Sequence, residues 1–364
     1  MKITSFLKKY IPKWAAVALV IFLISCVLYA FSVFFPTVAD LLNETLGTAA
    51  RFSLSLITVW LPFSLFELLI ILLLPLFVTL VILLVKKGKT HVRRVRCAVS
   101  LLAAVSLILT SYIFTLGIGY RTTPIGERLN IESPEYISPE ELYSVARRLR
   151  DEVNSLSSEI RYEGGVSVMP YSVRELSDKL CSSFDKLNEE YPFIKSFDSR
   201  VKPVLFSTVM SDAGITGIYS FFTGEANVNV EYPQYNLPYV AAHEMSHQRG
   251  VSRENEANFI AFLVCIGSTD PFIRYSGYLS MYEYIASWLY RADEELYFEL
   301  ATGLDESAVD DIRASRAVTA EHSDSLLGKL NDKANDAYLK LNGTEGVVSY
   351  GYVVRLAVGY YRGR

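Results

Sequence analysis

The sequence predicts a mainly helical α+β protein, with membrane-spanning helices at the N-terminus and a domain with a small sheet behind them. Three observations predict this organisation. The chain has 364 residues, of which 51% are hydrophobic, and this is too apolar for one ordinary soluble domain. The longest apolar runs lie before position 121. After that position helical patterns dominate, and one short segment alternates as a β-strand does.

Three segments of residues 1–120 have about the length that a membrane-spanning helix needs. They are residues 15–35, 65–85 and 97–120. The first is longer than the apolar core of a signal peptide and further spans follow it, so we expect a retained anchor. Glu67 is expected near the membrane interface, with an intramembrane role in transport or proton transfer as the alternative. Pro75 is expected to kink the second span.

Basic residues predict the orientation of these spans. The N-terminal tail and the loop before the third span carry ten basic residues and no acid: Lys2, Lys8, Lys9, Lys13, Lys86, Lys87, Lys89, Arg93, Arg94 and Arg96. The loop between the first two spans holds Arg51 against Asp40 and Glu44. Because basic residues accumulate on the cytoplasmic side, we expect a cytoplasmic N-terminus in a multi-pass cell-membrane protein. Residues 121–364 then form an extracytoplasmic domain.

This domain is acidic, with 24 Lys and Arg against 36 Asp and Glu, a net charge near −12. That charge argues against nucleic acid as a partner and against electrostatic docking on an anionic lipid surface. Its two cysteines are Cys181 and Cys265. They could form one disulfide or remain two buried free thiols.

The domain is predicted to begin with a linker and two supporting helices. Residues 121–137 contain Pro124, Gly126 and Pro134, which is typical of a linker. Ser138 followed by Pro139 and Glu141 is typical of a helix start, and this helix is expected to run to about residue 156. A second helix is expected over residues 173–190, begun by Ser172 or Tyr171.

Residues 224–231 alternate polar and apolar side chains, which predicts a strand. We place it at a sheet edge, where it could pair with an extended substrate through main-chain hydrogen bonds. The alternative is an ordinary strand with one face in solvent.

The segment from Asn236 to Gly267 contains the residues on which a functional hypothesis depends. His243 and His247 are four residues apart on a predicted helix, so both imidazoles can reach one cation. Glu244 lies between them in the pattern His-Glu-x-x-His, where a carboxylate can take a proton from a metal-activated water. Asn236 is the expected N-cap and Gly250 the expected end of this helix.

A second helix is expected to begin at about Arg253, capped by Ser252, and to fold back against the first because only a short turn separates them. Its early acidic residues are Glu254 and Glu256. At 100° per residue they point about 200° apart, so only one can face the metal. Since Phe259, Ile260 and Leu263 extend the face of Glu256 as an apolar stripe, we predict Glu256 as the third ligand. Glu254 is expected to be solvated or to contact a ligand.

The remaining chain predicts helices over residues 270–301 and 305–341, with His322 exposed in the second. The tyrosines and the tryptophan of the first, Tyr282, Tyr284, Trp288 and Tyr290, are expected to pack in the core. The C-terminal residues are too interrupted by glycine for a fourth span.

Several segments resemble one known family. They are RTTPIGERL, GITGIYSFFTGEANVNVEYP, HEMSHQRGVSRENEANFIAF, DPFIRYSGYLSMY and GVVSYGYVVRLAVGYYR. Together they resemble a bacterial family, defined as a domain of unknown function, of membrane-anchored proteins with a gluzincin-like zinc peptidase motif. The resemblance implies a zincin-like domain, zinc bound by His243, His247 and Glu256, and Glu244 as base.

One position departs from the gluzincin pattern. Thermolysin-like gluzincins carry an aspartate four residues after the glutamate ligand, where it orients the first histidine, but Ile260 stands there in this chain. Asn258, Glu254 or Glu283 is the expected replacement. Tyr350 is the candidate for oxyanion stabilisation, unless His322 reaches the site.

The sequence therefore predicts a membrane-anchored zinc metallopeptidase that cleaves extracytoplasmic peptides or proteins, including envelope proteins and cell-wall cross-bridges. The alternative is a zinc-binding membrane sensor or structural envelope protein without hydrolytic activity. Glu244 discriminates between them, because a purely structural metal site does not need a general base.

Overall fold

The computed structural model describes residues 9–87 and 90–363, and most of this part of the chain is helical. The helices of the N-terminal part are α1 (Lys13–Phe34), α2 (Pro36–Leu42), α3 (Thr48–Thr58), α4 (Leu65–Lys87) and α5 (His91–Tyr112). A π-helical turn, Asn43–Gly47, joins α2 to α3. The π-helical turn Ile113–Gly117 and the 3-10 turn Ile118–Arg121 continue α5.

Two helices in the described residues are long and apolar enough to cross a membrane, α1 and the continuous helix from His91 to Arg121. They pack against each other through small residues, because Ala15, Ala18 and Ala103 form one buried cluster. Only 17% of the apolar window of each helix is buried, so neither is an ordinary core helix. These helices indicate a membrane anchor, or a signal sequence in the case of α1.

The prediction of three spans is supported for two only. Residues 65–85 are helical as predicted, in α4, with Pro75 inside the helix. Several side chains of α4, at positions 74, 80, 81 and 83–87, lie outside the described residues, and the lysine-rich loop predicted around them falls there in part. Glu67 is explained structurally, because its carboxylate accepts hydrogen bonds from the backbone N–H groups of Leu205 and Phe206.

Behind the N-terminal part lie eleven further helices in the described residues. They are α6 (Ile125–Arg128), α7 (Pro139–Ser157), α8 (Val173–Glu190), α9 (Ser207–Asp212), α10 (Asn236–Gln248), α11 (Glu254–Ile266), α12 (Pro271–Ala292), α13 (Glu294–Thr302), α14 (Glu306–His322), α15 (Leu326–Leu341) and α16 (Val353–Arg362). A 3-10 segment, Gly346–Tyr352, precedes α16. The core lies where α12 packs on α7, α10 and α11. Of the aromatic residues that the sequence assigned to packing, Tyr282 is buried there and Tyr284 and Trp288 pack against it, whereas Tyr290 is exposed.

The helix starts were predicted well where a side chain caps the helix. Ser138 accepts the N–H of Glu141 at the start of α7, and Ser172 forms the predicted capping box of α8. Gly250 follows the end of α10 in a positive-φ conformation, as predicted, but the two N-caps predicted around the metal motif are wrong. Asn236 is the first residue of α10 and its side chain bonds Ser315, while Ser252 precedes an uncapped start of α11 at Arg253. Cys181 and Cys265 are buried free thiols.

Two small sheets complete the described fold. β1 (Tyr162–Glu163) and β2 (Val166–Ser167) form a hairpin. β3 (Val201–Pro203), β4 (Gly217–Ser220) and β5 (Glu225–Val228) form a sheet in the order β3-β5-β4. β5 is parallel to β3 and antiparallel to β4.

The predicted edge strand is the central strand. Residues 224–231 contain β5, which pairs on both sides, and β3 and β4 are the edge strands of this sheet in the described residues. The polar face of β5 is buried because it receives the start of α4: Glu225 accepts the N–H groups of Leu65 and Phe66, and Asn227 accepts the hydroxyl of Ser64. Alternation thus predicted the strand but not what covers its polar face.

Candidate metal centre

The centre is built on α10, α11 and the turn that joins them, residues 249–253. His243 and His247 lie one turn apart on α10, and their Nε2 atoms are 3.1 Å apart. After α10 the chain reverses at Gly250, whose φ of +99° lies in the region that favours glycine. This reversal brings the start of α11 onto the histidines.

The carboxylate that the turn places on the histidines belongs to Glu254. Its Oε2 atom lies 3.2 Å from Nε2 of His243 and 3.4 Å from Nε2 of His247. These are the three side chains in the described residues that are grouped closely enough to hold a metal ion. Glu256, the predicted third ligand, points elsewhere: its carboxylate accepts the N–H of Ile125 and bonds Arg253.

The assignment of Glu256 fails because the apolar stripe used to choose it marks a different face of α11. Phe259 and Ile260 are fully buried in the main core. The face of α11 that reaches the histidines is polar, and it carries Glu254 and, one turn later, Asn258. In this helix-turn-helix the side of α11 that faces the histidines is therefore its polar side.

The three ligand atoms fit a tetrahedral ion. Bond lengths of about 2.0–2.1 Å give ligand-to-ligand distances of about 3.3–3.4 Å in a tetrahedron. The observed separations among the Nε2 and Oε2 atoms are 3.1, 3.2 and 3.4 Å. Two imidazoles and one carboxylate are also the donor set of many catalytic zinc sites, which keep a fourth position open. The residues present thus fit a zinc ion.

The outer nitrogens of the two histidines differ. Nδ1 of His247 is 2.7 Å from the backbone carbonyl of Val251, a contact that fixes the ring. Nδ1 of His243 is buried without a hydrogen-bond partner among the described residues, and so is Nδ2 of Asn258. Asn258 stands four residues after Glu254. With Glu254 as ligand, the gluzincin aspartate position is therefore occupied by an amide rather than by Ile260.

The other expected partners of His243 are engaged elsewhere. Glu283 accepts the hydroxyl of Tyr235, and burial raises the pKa of Glu283 to about 7. Glu254 faces the ligand nitrogens with its own carboxylate. Asn258 is the remaining candidate, and it lines the same cavity as His243.

Glu244 is buried beside the edge strand β4. A Cβ atom added at Gly217 would lie 2.6 Å from its Oε1 atom, so only glycine lets the strand approach this carboxylate. Burial raises the pKa of Glu244, while the neighbouring histidines and a hydrogen bond to the backbone of Tyr219 lower it. The carboxylate is thus held between the histidines and the free edge of the sheet.

Charge is balanced within the ligand group in the absence of a metal. Burial alone would lower the pKa of His247, but the Glu254 carboxylate outweighs it and raises this pKa to about 9. Burial opposes ionisation of Glu254, yet the two histidines hold its pKa well below the usual value. The group is therefore an ion pair between histidine and glutamate. A divalent cation that binds these side chains would displace a proton from the histidines.

The centre lies in a cavity of about 910 Å³. Its walls come from the end of α5, β4, α10, α11, α12, α15 and the 3-10 segment, and include Tyr112, Leu116, Gly217, Phe221, Tyr284, Trp288, Arg291, Asn335 and Tyr350. The free edge of β4 lines it, so an extended chain in the cavity could pair with this strand. A cavity of this size accommodates several residues of a peptide.

Tyr350 lines this cavity together with His243, His247 and Glu254. Burial, then the charges of Glu254 and Glu244, raise its pKa well above the usual value. Its hydroxyl therefore stays protonated and can act as a donor. His322 does not line this cavity; its ring pairs with Asp212 and Glu231.

Sequence reasoning missed the residues that tie this centre to the N-terminal helices. Arg51, treated only as a loop charge, is fully buried and donates to Asn43 and to the carbonyl of Phe114. Asn43 in turn donates to the carbonyl of Gly250. The sequence did contain a signal for this contact. Asn43 and Arg51 lie eight residues apart between two apolar segments, and such polar groups need partners when they are buried.

Comparison with known proteins gives one family. The family described as Protein of unknown function (DUF3810) matches residues 47–358. This range contains the ligand residues, the sheet, the cavity walls and the continuous helix that ends at Arg121. No curated protein and no solved structure matches the chain.

Proposed function

The chain belongs to the DUF3810 family, and from the geometry of its metal centre we propose that it is a membrane-anchored zinc-dependent metallopeptidase. The observation that carries the proposal is the arrangement of three ligand atoms at tetrahedral separations with Glu244 beside them. A non-catalytic zinc site has no use for a buried carboxylate on its open side. The gluzincin likeness of the motif is part of this proposal.

His243, His247 and Glu254 would hold the ion. A bound zinc ion would supply Lewis acidity, polarising the scissile carbonyl and lowering the pKa of water. Glu244 would accept the proton of the attacking water and deliver it to the leaving amine.

Two further residues have assigned roles in this mechanism. Asn258 would accept the Nδ1 proton of His243 through its Oδ1 once its amide turns, and would fix that ring as the carbonyl of Val251 fixes the ring of His247. Tyr350 would donate to the developing oxyanion of the substrate. The free edge of β4 would hold the substrate main chain.

The membrane arrangement is also a proposal. Taking α4 as a third span beside the two apolar helices gives an odd number of crossings, and the basic residues place the N-terminus in the cytoplasm. The metal centre would then face the outside, and its substrates would be extracytoplasmic peptides or proteins.

The test uses the full chain purified in detergent and loaded with zinc. We expect it to cleave members of a peptide library, with about one zinc bound per chain. Glu244→Gln should lower the cleavage rate by about a thousandfold or more and retain the zinc, because it removes the base and leaves the ligands. Glu231→Gln, which alters an acid outside the cavity, is the matched control and should cleave normally.

Stoichiometric zinc without cleavage of any library member would favour the sensor or structural alternative. Equal cleavage by the wild type and Glu244→Gln would remove Glu244 from the mechanism.

A further inference from the structure

The metal centre is bonded to the C-terminal end of the last apolar helix. This helix runs from His91 to Arg121, and its first residues include Arg93, Arg94 and Arg96. Taken as a membrane span, it would enter the hydrocarbon core near Cys97 and, after about 20 residues, leave it near Leu116. The remaining residues of the helix, Gly117 to Arg121, lie in the interface or beyond it.

Leu116 and its neighbours are bonded to the turn that joins the two ligand helices. Ser252 donates to the carbonyl of Leu116 at 2.7 Å, and Arg253 donates to the carbonyls of Tyr120 and Thr122 at 3.1 and 2.6 Å. A Cβ atom at Gly119 would come within 2.1 Å of the Ser252 hydroxyl, so the contact requires glycine. Ser252 and Arg253 lie between the ligands His247 and Glu254. The centre is thus fixed to the end of the span.

The end of this helix also lines the cavity of the centre. Tyr112 and Leu116 line it together with Phe221, and the rings of Tyr112 and Phe221 are in edge contact at 5.5 Å. Ser287, Trp288 and Arg291 on α12 also line it, on a wall that the span does not contribute. A chain that leaves the bilayer beside this helix would meet the apolar end of the cavity within its first few residues.

An exposed apolar surface lies beside the start of α4. Leu205, Phe206 and Val209 are 84%, 55% and 52% exposed. The backbone N–H groups of Leu205 and Phe206 bond Glu67 in the first turn of the apolar helix α4, and Phe66 of that turn contacts Phe222. We assign this surface to contact with the same bilayer, because it lies beside the start of α4 and the end of the other span.

From these contacts we propose that the substrate is a polypeptide anchored in the same membrane, cut within the first residues outside the bilayer. The inference rests on the proposed peptidase function and names its substrate class. A soluble peptide could enter the cavity too, but the position of the centre at the end of a span gives the advantage to a segment that emerges from the lipid.

The test uses the full zinc-loaded chain reconstituted in phosphatidylcholine vesicles. The probe is a synthetic polypeptide with one 20-residue leucine-alanine span and an unstructured tail of about 40 residues, incorporated in the same vesicles. The comparison is the same tail without the span, in solution. We expect the tethered tail to be cut within about ten residues of its span, which reach about 33 Å when extended. Its cleavage should be at least tenfold faster than that of the free tail.

A second probe separates position from local concentration. It carries the same anchor, with the cut segment moved outward by a flexible Gly-Ser linker of about 30 residues. We expect its cleavage to fall at least fivefold. An unchanged rate, or equal cutting of the tethered and the free tail, would overturn the substrate class and leave the peptidase standing. Failure to cut either tail would overturn the proposed function and this inference with it.

A variant tests the apolar surface. Leu205→Ser combined with Val209→Ser should slow cutting of the tethered tail at least threefold and leave cutting of the free tail unchanged, because neither residue lines the cavity. Phe298→Ser, which alters an exposed apolar residue of α13, is the matched control. Equal slowing on both tails would show that the surface supports the fold rather than the approach to the bilayer.

Discussion

Glu254 and Glu256 lie on different sides of the first turn of α11, and their carboxylates have different neighbours. On one side Glu254 faces two imidazoles at 3.2 and 3.4 Å. On the other side Glu256 faces the guanidinium of Arg253 and the N–H of Ile125, at 3.0 Å each. Both carboxylates are buried. What neutralises a buried carboxylate therefore decides its role: histidines can exchange their protons for a metal, whereas an arginine and an amide cannot.

The largest effect should separate these two glutamates directly. Glu254→Gln should weaken zinc binding by about a thousandfold, roughly 4 kcal/mol, because it removes one of three protein ligands. Glu256→Gln should change zinc affinity less than about threefold, because an amide oxygen can still accept the N–H of Ile125. Competition with a chromophoric chelator measures both affinities. The reverse ranking would restore Glu256 as the ligand and break the comparison.

The next effect concerns the turn that decides which side of α11 faces the histidines. Gly250→Ala should lower the free energy of unfolding by about 3 kcal/mol. Its φ is +99°, and an added Cβ would lie 2.5 Å from Nη2 of the buried Arg51. Gly164→Ala, at φ +61° with nothing within 4 Å, is the matched control and should cost about 1 kcal/mol from backbone strain alone. Thermal unfolding in detergent measures the two; equal losses would exclude crowding against Arg51.

A third glutamate extends the comparison to a buried carboxylate that makes no ion pair. Glu283 on α12 accepts the hydroxyl of Tyr235, and burial raises its pKa to about 7. Since this folded-state pKa lies above the unfolded value, the protonated form stabilises the fold at low pH. That stability is lost as the pH rises through about 7, by roughly 2 kcal/mol between pH 5 and 7.

Glu283→Gln removes this titration. Its unfolding temperature relative to the wild type should therefore rise between pH 5 and pH 8, by several degrees. A constant difference between the wild type and Glu283→Gln at all pH values would show that Glu283 does not titrate in this range.

The sequence predicted features that depend on a single helix or strand. It failed for features that depend on how two elements pack against each other. The spacing of His243 and His247 predicted that the two rings lie together, because the helix period alone determines it. The choice of Glu256 failed because it depends on the direction in which the chain leaves Gly250, and the apolar stripe reports only the core side of α11. The edge position of β5 failed similarly, since it depends on the pairing of this strand with β3 and β4. Tyr350, far along the chain, lines the cavity, and its role as oxyanion donor stays a prediction.

The smallest expected effect concerns Asn258, which lies one helical turn after Glu254. It tests whether the side of α11 that faces the histidines extends as far as this residue. Nδ1 of His243 and Nδ2 of Asn258 are buried without hydrogen-bond partners in the part of the chain that the structure describes. A ligand histidine that lacks an outer hydrogen bond is poorly oriented, and loss of such a partner costs about tenfold in metal affinity or activity, roughly 1.4 kcal/mol. Asn258→Ala should therefore weaken zinc binding about tenfold, while Asn258→Asp, which can only accept the Nδ1 proton, should equal or exceed the wild type. Asn255→Ala, one residue after the ligand, is the control. If Asn258→Ala binds zinc as tightly as Asn255→Ala does, then His243 is held by its ring contacts alone, and the metal-facing side of α11 ends at Glu254.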